Sequence, residues 1–459
     1  MSTIINKKLS VISGLMIIAC TVHAQQQNTL DAYVQQAFKN NENLRQQQFQ
    51  LDKSVYALKE ARSLFLPDVK LLGDYTRSEG GRTIDFPVGD LLNPVYGSLN
   101  QLTGENQFPH IDNARIQLNP DNFYDAKFRT SLPLVNAEIW YNQQIKKEMI
   151  GSQQAAVNVY KRELVKEIKT AYYQYYQAGK AVDIYSNALA LVNENIRVNE
   201  SLLRNGVRNS TALTRSQTEK QKTETAIDQA KNNRKNAQAY FNFLLNRPLQ
   251  EDIIMDTTVF VQDAQLIANT GSTGTREELD QLQKAQHISS LNRKLQQSYI
   301  IPKLNTFLDL GSQGFNWKFD NTTRYYMWGV NLQWNLFAAG KNHYRTQQAT
   351  IDGKTLQAQY NATEQSLRLQ LEQATNNYNT AVANYHTAQT QLQFAQKYYT
   401  DQFKVYKEGQ LLYIELLDAQ NQLTAAQLQS SVAFANVQIA LAVLERTTAS
   451  YPVNATINN

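Results

Sequence analysis

Two carboxylates at close helical spacing are the first side chains in this sequence that could do chemistry together. Glu415 and Asp418 stand three residues apart, just after a turn signal at Gly409. On a helix that spacing puts both on one face. Repeated by symmetry in an assembly, such a pair would form stacked carboxylate rings, which favour cations. A plain solvated helix face carries the same pair, and spacing alone leaves both readings open. The other candidates are scattered. His23, His110, His287, His343 and His386 show no metal-ligand spacing. The sequence has no Gly-rich phosphate loop and no nucleophile elbow. No catalytic residue, cofactor or metal is expected, and the chain does not read as an enzyme.

The composition describes what must position that pair. Of 459 residues, 19% are charged, and the formal net charge is +5. Such an excess is too small to argue for nucleic acid. Tyrosine is abundant, at 25 residues, and Gln and Asn are frequent. This suits long helices with wet, weakly charged faces. Glycine (18) and proline (9) are scarce, so each break is informative.

The N-terminus reads as an export address. Lys7 and Lys8 precede an apolar run, Leu9 to Ile18, too short to cross a bilayer. Val22-His23-Ala24 offers small-residue cleavage before Gln25, so residues 1–24 form a signal peptide. Ile17-Ile18-Ala19-Cys20 is also a loose match to a lipoprotein lipobox, which would leave Cys20 lipidated. Cys20 is the sole cysteine, so the chain has no disulfide. No later stretch has 18 consecutive apolar residues, so any membrane role falls to strands.

The mature chain repeats one plan at a long period. A helix-like run, Thr29 to Leu64, ends at Pro67. Two alternating segments flank a loop, and Asn136 to Arg204 then runs without proline. A turn at Asn205-Gly206 leads to Ser210–Asn246, stopped by Pro248. The second copy runs from Thr275–Tyr299 through two alternating segments to Lys341–Lys407, turns at Gly409 and returns over Leu411–Thr447. Pro133 precedes Gly206 by 73 positions, and Asn335 precedes Gly409 by 74. The repeats are thus residues 25–248 and 276–447, with 249–275 as connector and 448–459 as tail. The first copy carries about 33 extra residues between Pro67 and Pro133, of loop composition (Gly80-Gly81, Pro87, Pro94, Pro109). A run of about 70 residues makes a helix about 100 Å long.

The last run carries a heptad seam. Leu416, Ala419, Leu423, Ala426, Ser430, Ala433, Val437, Ala440 and Leu444 follow a 3,4 spacing, which asks for a coiled-coil partner. Its counterpart is poorer, since Lys220 and Arg234 interrupt Ile227, Ala230, Ala237 and Phe241.

Four segments of roughly ten residues alternate with period two. The fourth puts Tyr326, Trp328, Val330, Leu332, Trp334 and Leu336 on one face, against Met327, Gly329, Asn331, Gln333 and Asn335. The second sets Tyr124, Ala126, Phe128, Thr130, Leu132 and Leu134 against Asp125, Lys127, Arg129 and Ser131. The first (Val69, Leu71, Gly73, Tyr75) and third (Leu304, Thr306, Leu308, Leu310) are weaker. A membrane strand has lipid on one face and a watery lumen on the other. A soluble sheet gives the same alternation, but the helices are spent on one another and leave no cover for it. Four strands cannot close a barrel, and open edges are not tolerated in lipid. Several copies must therefore share one barrel; two, three or four all fit the pattern.

The layout resembles the outer membrane efflux protein (TolC) family over about residues 28–447. The strongest local match is Tyr406-Lys407-Glu408-Gly409-Gln410-Leu411-Leu412-Tyr413-Ile414-Glu415-Leu416-Leu417-Asp418-Ala419-Gln420, similar to the family's turn-and-return segment. Leu203-Arg204-Asn205-Gly206-Val207 resembles the other hairpin tip. Ser63-Leu64-Phe65-Leu66-Pro67, echoed by Tyr299-Ile300-Ile301-Pro302, resembles the helix-to-strand junction.

The resemblance implies a mainly α fold with a membrane β-barrel contribution. Four strands per protomer would enter a trimeric 12-stranded barrel, continued by an α-helical coiled-coil barrel. It implies an outer-membrane protein of a Gram-negative bacterium with a periplasmic extension, acting as a passive exit duct for efflux or type I secretion. The implied partners are outer-membrane lipid, two further copies, a periplasmic adaptor and an inner-membrane pump. Glu415 and Asp418 match the acidic gate positions, with Glu415 standing where the family often has Asp. Arg204, Asn205, Gly206, Lys407, Glu408 and Gly409 match the tips that meet the adaptor. The competing reading is an exported coiled-coil tether without a pore.

Overall fold

The structure is a computed structural model that describes residues 29–207, 209–255 and 276–453. The expected signal peptide with Cys20, most of the expected connector and the end of the expected tail lie outside the described residues.

In chain order the elements are α1 (Thr29–Asn40), α2 (Glu42–Ser63), β1 (Asp68–Thr76), β2 (Thr83–Phe86), α3 (Val88–Thr103), β3 (Ala114–Gln117) and β4 (Phe123–Val135). Then follow α4 (Ala137–Arg204), α5 (Ser210–Leu244), α6 (Glu277–Gln297) with a short 3-10 turn, β5 (Lys303–Phe315), β6 (Arg324–Gln333), α7 (Lys341–Lys407) and α8 (Tyr413–Thr448). The chain divides into a strand-bearing unit, residues 53–150 and 285–355, and a helical unit made of the remainder.

In the strand-bearing unit, β1, β4, β5 and β6 form an antiparallel sheet in that order. The register joins the four predicted apolar faces into one. Leu71, Phe128, Leu310 and Tyr326 stand on one rung, and Val69, Thr130, Leu308 and Trp328 on the next of the same parity. β1 and β6 are its two edges. β6 ends at Gln333, so Trp334 and Leu336, predicted on this strand, lie just beyond it.

The insertion after β1 is a correction to the sequence reading. In place of plain loop it holds the β2–β3 hairpin and the helix α3. Pro87 and Pro94 read as breakers, but Pro87 stands just before the first turn and Pro94 sits inside the helix.

The helical unit packs its long helices through three buried clusters. The largest gathers Leu30, Val34 and Leu44 with Leu164, Ile168, Tyr172, Phe241 and Leu245. Each such side chain contributes about 1.5–3 kcal/mol on full burial. Thr29–Leu64 is broken at Asn41, another departure from the expected run. The Asn41 side chain accepts from the Leu44 amide at 2.9 Å and so caps α2. Its amide also donates to the Leu244 carbonyl, at 2.9 Å.

The α8 seam holds at seven of its nine positions, with Ser430 and Ala440 only half-buried. Leu416, Ala419, Leu423, Ala426, Ala433, Val437 and Leu444 are buried. Among the described residues, α8 is also the one helix long and apolar enough to cross a membrane by length and composition. The absence of an unbroken apolar run concealed this, because polar residues such as Gln420 and Gln438 punctuate it. The seam's packing explains its apolarity without a membrane. The flaw in the α5 seam also has a physical account. Arg234 donates to the Tyr175 hydroxyl at 3.1 Å and lies over that ring, so the charge is held between helices.

Candidate functional site

The two turns between long helices are built alike. After α4, Gly206 N bonds Leu203 O at 3.1 Å and Val207 N bonds Leu202 O at 2.9 Å. After α7, Gly409 N bonds Tyr406 O at 3.0 Å and Gln410 N bonds Val405 O at 3.3 Å. Both glycines take left-handed φ, 72° and 76°. This is the closure that ends a helix on an αL residue and satisfies its orphan carbonyls. The turns are neighbours, since a Cβ on Gly409 would stand 3.5 Å from Val207 Cγ1. Arg204, Asn205, Gly206, Lys407 and Glu408 are exposed and Gly409 is half-buried, so the predicted tip residues come together on one end of the helical unit.

Behind the tips lies a buried layer of polar ties. The Tyr406 hydroxyl donates to Asn199 Oδ1. Asn195 Nδ2 donates to Gln420 Oε1 at 2.6 Å, and both residues are buried. Tyr399, Tyr413 and Leu416 pack around them. Burial pushes the Tyr399 hydroxyl up to about 12, with the Glu194 carboxylate adding to it. Burial also raises Tyr413. Nearer the surface, Arg197 hydrogen-bonds Glu194 at 2.7 and 2.8 Å and, with Lys407 4.0 Å away, holds that carboxyl below its usual range.

Sequence reading did not find these ties, although a signal exists. Ala188, Val192, Asn195 and Asn199 are buried at 4,3,4 spacing on α4. The asparagines therefore sit at seam positions, where a polar residue sets pairing at a cost in stability.

Glu415 and Asp418 are exposed on α8, each next in sequence to a buried seam residue, Leu416 or Ala419. Gln422, one turn on, donates to Asp418 Oδ2 at 2.7 Å. The structure thus keeps the two carboxylates on one accessible stripe, directly after the second tip.

The sheet presents two contrasting faces. On the apolar face Tyr326, Trp328, Val330 and Leu332 are exposed, as are Trp334 and Leu336 past the strand end. At the rim where β5 turns into β6, Trp317 stacks on Tyr75 and Tyr124, and Phe319 covers Tyr124. The opposite face is polar and interlocked. Arg129 reaches Asp309 across the β4–β5 pair, Lys127 pairs with Asp125, and the Tyr325 hydroxyl donates to Asp125 at 2.8 Å.

A family model described as outer membrane efflux protein matches residues 33–247 and 274–450. The chain belongs to the outer membrane efflux protein family. Among solved structures, the fold is similar to the outer membrane channel CmeC of Campylobacter jejuni, with TM-score 0.72 and 13% identity over 92% of this chain and 85% of that one. The open-state MtrE outer membrane channel of Neisseria gonorrhoeae gives 0.71 and 15%, over 92% and 88%. The outer membrane protein VceC of Vibrio cholerae gives 0.70 and 12%, over 91% and 95%. No curated protein matches the sequence. At these identities the structures establish the fold, and the family is one of outer-membrane efflux channels.

Proposed function

We propose that this protein is the passive outer-membrane exit duct of a tripartite efflux or type I secretion system. One observation carries the reading: a four-stranded sheet with a continuous exposed apolar face and two open edges. In lipid both edges must be paired. β6 runs antiparallel to β5, so β1 of a second copy meets β6 in the same antiparallel alternation. Three copies, the number the resemblance implies, would close twelve strands. Tyr326, Trp328, Val330, Leu332, Trp334 and Leu336 would then face lipid.

In this reading the tips, with Arg204, Asn205, Gly206, Lys407, Glu408 and Gly409, contact a periplasmic adaptor that joins the duct to an inner-membrane pump. Glu415 and Asp418 repeat as carboxylate rings at the periplasmic gate. Tyr406–Asn199 and Asn195–Gln420 hold the helices around the gate closed. The N-terminus is anchored by lipid if Cys20 survives processing, and free if cleavage falls after Ala24.

The test is fractionation followed by planar-bilayer recording. Recovery in the outer membrane, with discrete conductance steps from the purified oligomer, is expected. A mature protein soluble in the periplasmic fraction would instead support the tether without a pore.

A further inference from the structure

Tyr399 and Tyr406 stand one heptad apart on the same stripe of α7 and differ in one bond. Both are buried, at 6% and 0% exposure, in the cluster behind the tips. The Tyr406 hydroxyl donates to Asn199. The Tyr399 hydroxyl is sealed from solvent and has no hydrogen-bond partner among the described residues.

The register of the helices accounts for the difference. α4 and α7 both end at the neighbouring tips, so they run parallel. Seven residues back along each helix from the Tyr406–Asn199 pair, Tyr399 comes level with Val192. Val192 is fully buried, and Leu191 beside it packs against the cluster that holds Tyr399. Neither side chain has an acceptor. The Phe403 ring stacks on Tyr399 from one turn ahead. The Glu194 carboxylate acts on the Tyr399 hydroxyl only through space, because Arg197 holds both of its oxygens. Two other polar atoms of this layer are unbonded, Asn195 Oδ1 and the Tyr413 hydroxyl. Asn195 still makes the Gln420 tie through Nδ2, and Ser216 stands beside the Tyr413 hydroxyl. Tyr399 has neither recourse.

A hydroxyl buried without a partner destabilises the state that buries it. That cost falls only on the packed arrangement. Once α4 and α7 part, water reaches the hydroxyl and the cost disappears. The Tyr406 bond works the other way, since parting the helices breaks it. A group shifts an equilibrium by the difference it makes between the two states.

We propose that Tyr399 is the opening spring of the tip, a buried hydroxyl that destabilises the closed arrangement and opposes the Tyr406–Asn199 tie one heptad away. This rests on the gate reading above and deepens it: two tyrosines of opposite sign set the balance of the gate.

Tyr399→Phe in the full chain, recorded in planar bilayers beside the wild type and Tyr406→Phe, tests it. The change removes one oxygen and keeps the ring. Open probability is expected to fall about fivefold or more, opposite in sign to Tyr406→Phe. The double variant should return toward the wild type. A rise in open probability would mean that the hydroxyl is bonded when the tip is closed, and it overturns the spring. An unchanged open probability overturns it too, because the hydroxyl then weighs equally on both states. Either result comes from a conducting protein and leaves the duct standing. A wild-type protein without conductance steps overturns the duct first, and the spring with it.

Discussion

Arg129 on β4 and Asp309 on β5 occupy one rung of the sheet and join through two parallel hydrogen bonds of 2.7 and 2.6 Å. Asp309 is fully buried, while Arg129 keeps about a third of its side chain exposed and lies over the Phe307 ring. Phe307 in turn lies across Gly329, where a Cβ would stand 2.7 Å from the ring. The rung thus fixes register on the polar face, where slippage by one residue would carry every charge to the apolar one.

Removing Arg129 takes from Asp309 its two charge-assisted hydrogen bonds and leaves Lys127 as its nearby cation. Arg129→Ala is expected to destabilise the sheet by about 1–2 kcal/mol, the lower part of the range for hydrogen bonds to a charged group because the arginine is partly wet. The double change Arg129→Met, Asp309→Leu should recover most of that loss. Thermal dissociation of the purified oligomer in detergent reads both. Equal melting of the single variant and the wild type would remove the pair from the register argument.

The ties behind the tips predict a change in gating. Tyr406→Phe deletes the hydroxyl that Asn199 Oδ1 accepts and leaves the ring packing in place. A hydrogen bond of about 1 kcal/mol shifts a closed–open equilibrium about fivefold. Open probability in planar bilayers should rise by that factor, and Asn195→Ala should act in the same direction. An unchanged open probability in both variants would place the ties in stability alone.

The layout was legible in the sequence where a single period governs a long run. Pro67, Pro133, Gly206 and Gly409 punctuate it, and α7 spans Lys341–Lys407 as read. The strand faces were legible because alternation survives pairing, and the register then aligned four faces that the sequence could only describe separately. The misses have one cause: a side chain that finds a distant partner. Asn41 breaks α1 from α2 through a bond to Leu244, and Asn93 and Asn100 hold α3 onto residues 108–111. Arg234 tolerates a seam because Tyr175 receives it. None of these partners is adjacent in sequence. Of the candidate site, the tip glycines and the carboxylate stripe were readable. The ties were not, because a coiled-coil asparagine reveals its partner only when the second helix is present.

Glu415 and Asp418 predict ion preference. Exposed on α8, they have no cationic partner among the described residues. Rings of carboxylates favour cations. Substituting both with alanine should move the reversal potential in a KCl gradient toward the unselective value, with oligomer stability unchanged. If selectivity is the same in the double variant, the gate lies elsewhere.

Acid sensitivity should come from a different place, the ionic knot where α4, α6 and α8 meet. Arg446 bridges Glu278 at 2.6 Å and Glu163 at 3.3 Å, and Arg276 holds Glu278 at 2.7 Å. Arg162 pairs with Glu277 and also donates to the carbonyls of Ala449 and Tyr451. Burial alone would raise the Glu278 carboxyl, but hydrogen bonds from Arg276 and then Arg446 bring it down to about 2. Its folded value is therefore depressed below the unfolded one. The stabilisation, of order 3 kcal/mol, is present above the ordinary carboxylate range and is lost as pH falls through about 2. Melting of the purified protein should be flat near neutrality and drop steeply between about pH 4 and 2. Glu278→Gln should lower stability at neutral pH and flatten that acid limb, because the variant no longer takes up the proton. An acid limb of the same depth in wild type and variant would assign the loss to other carboxylates.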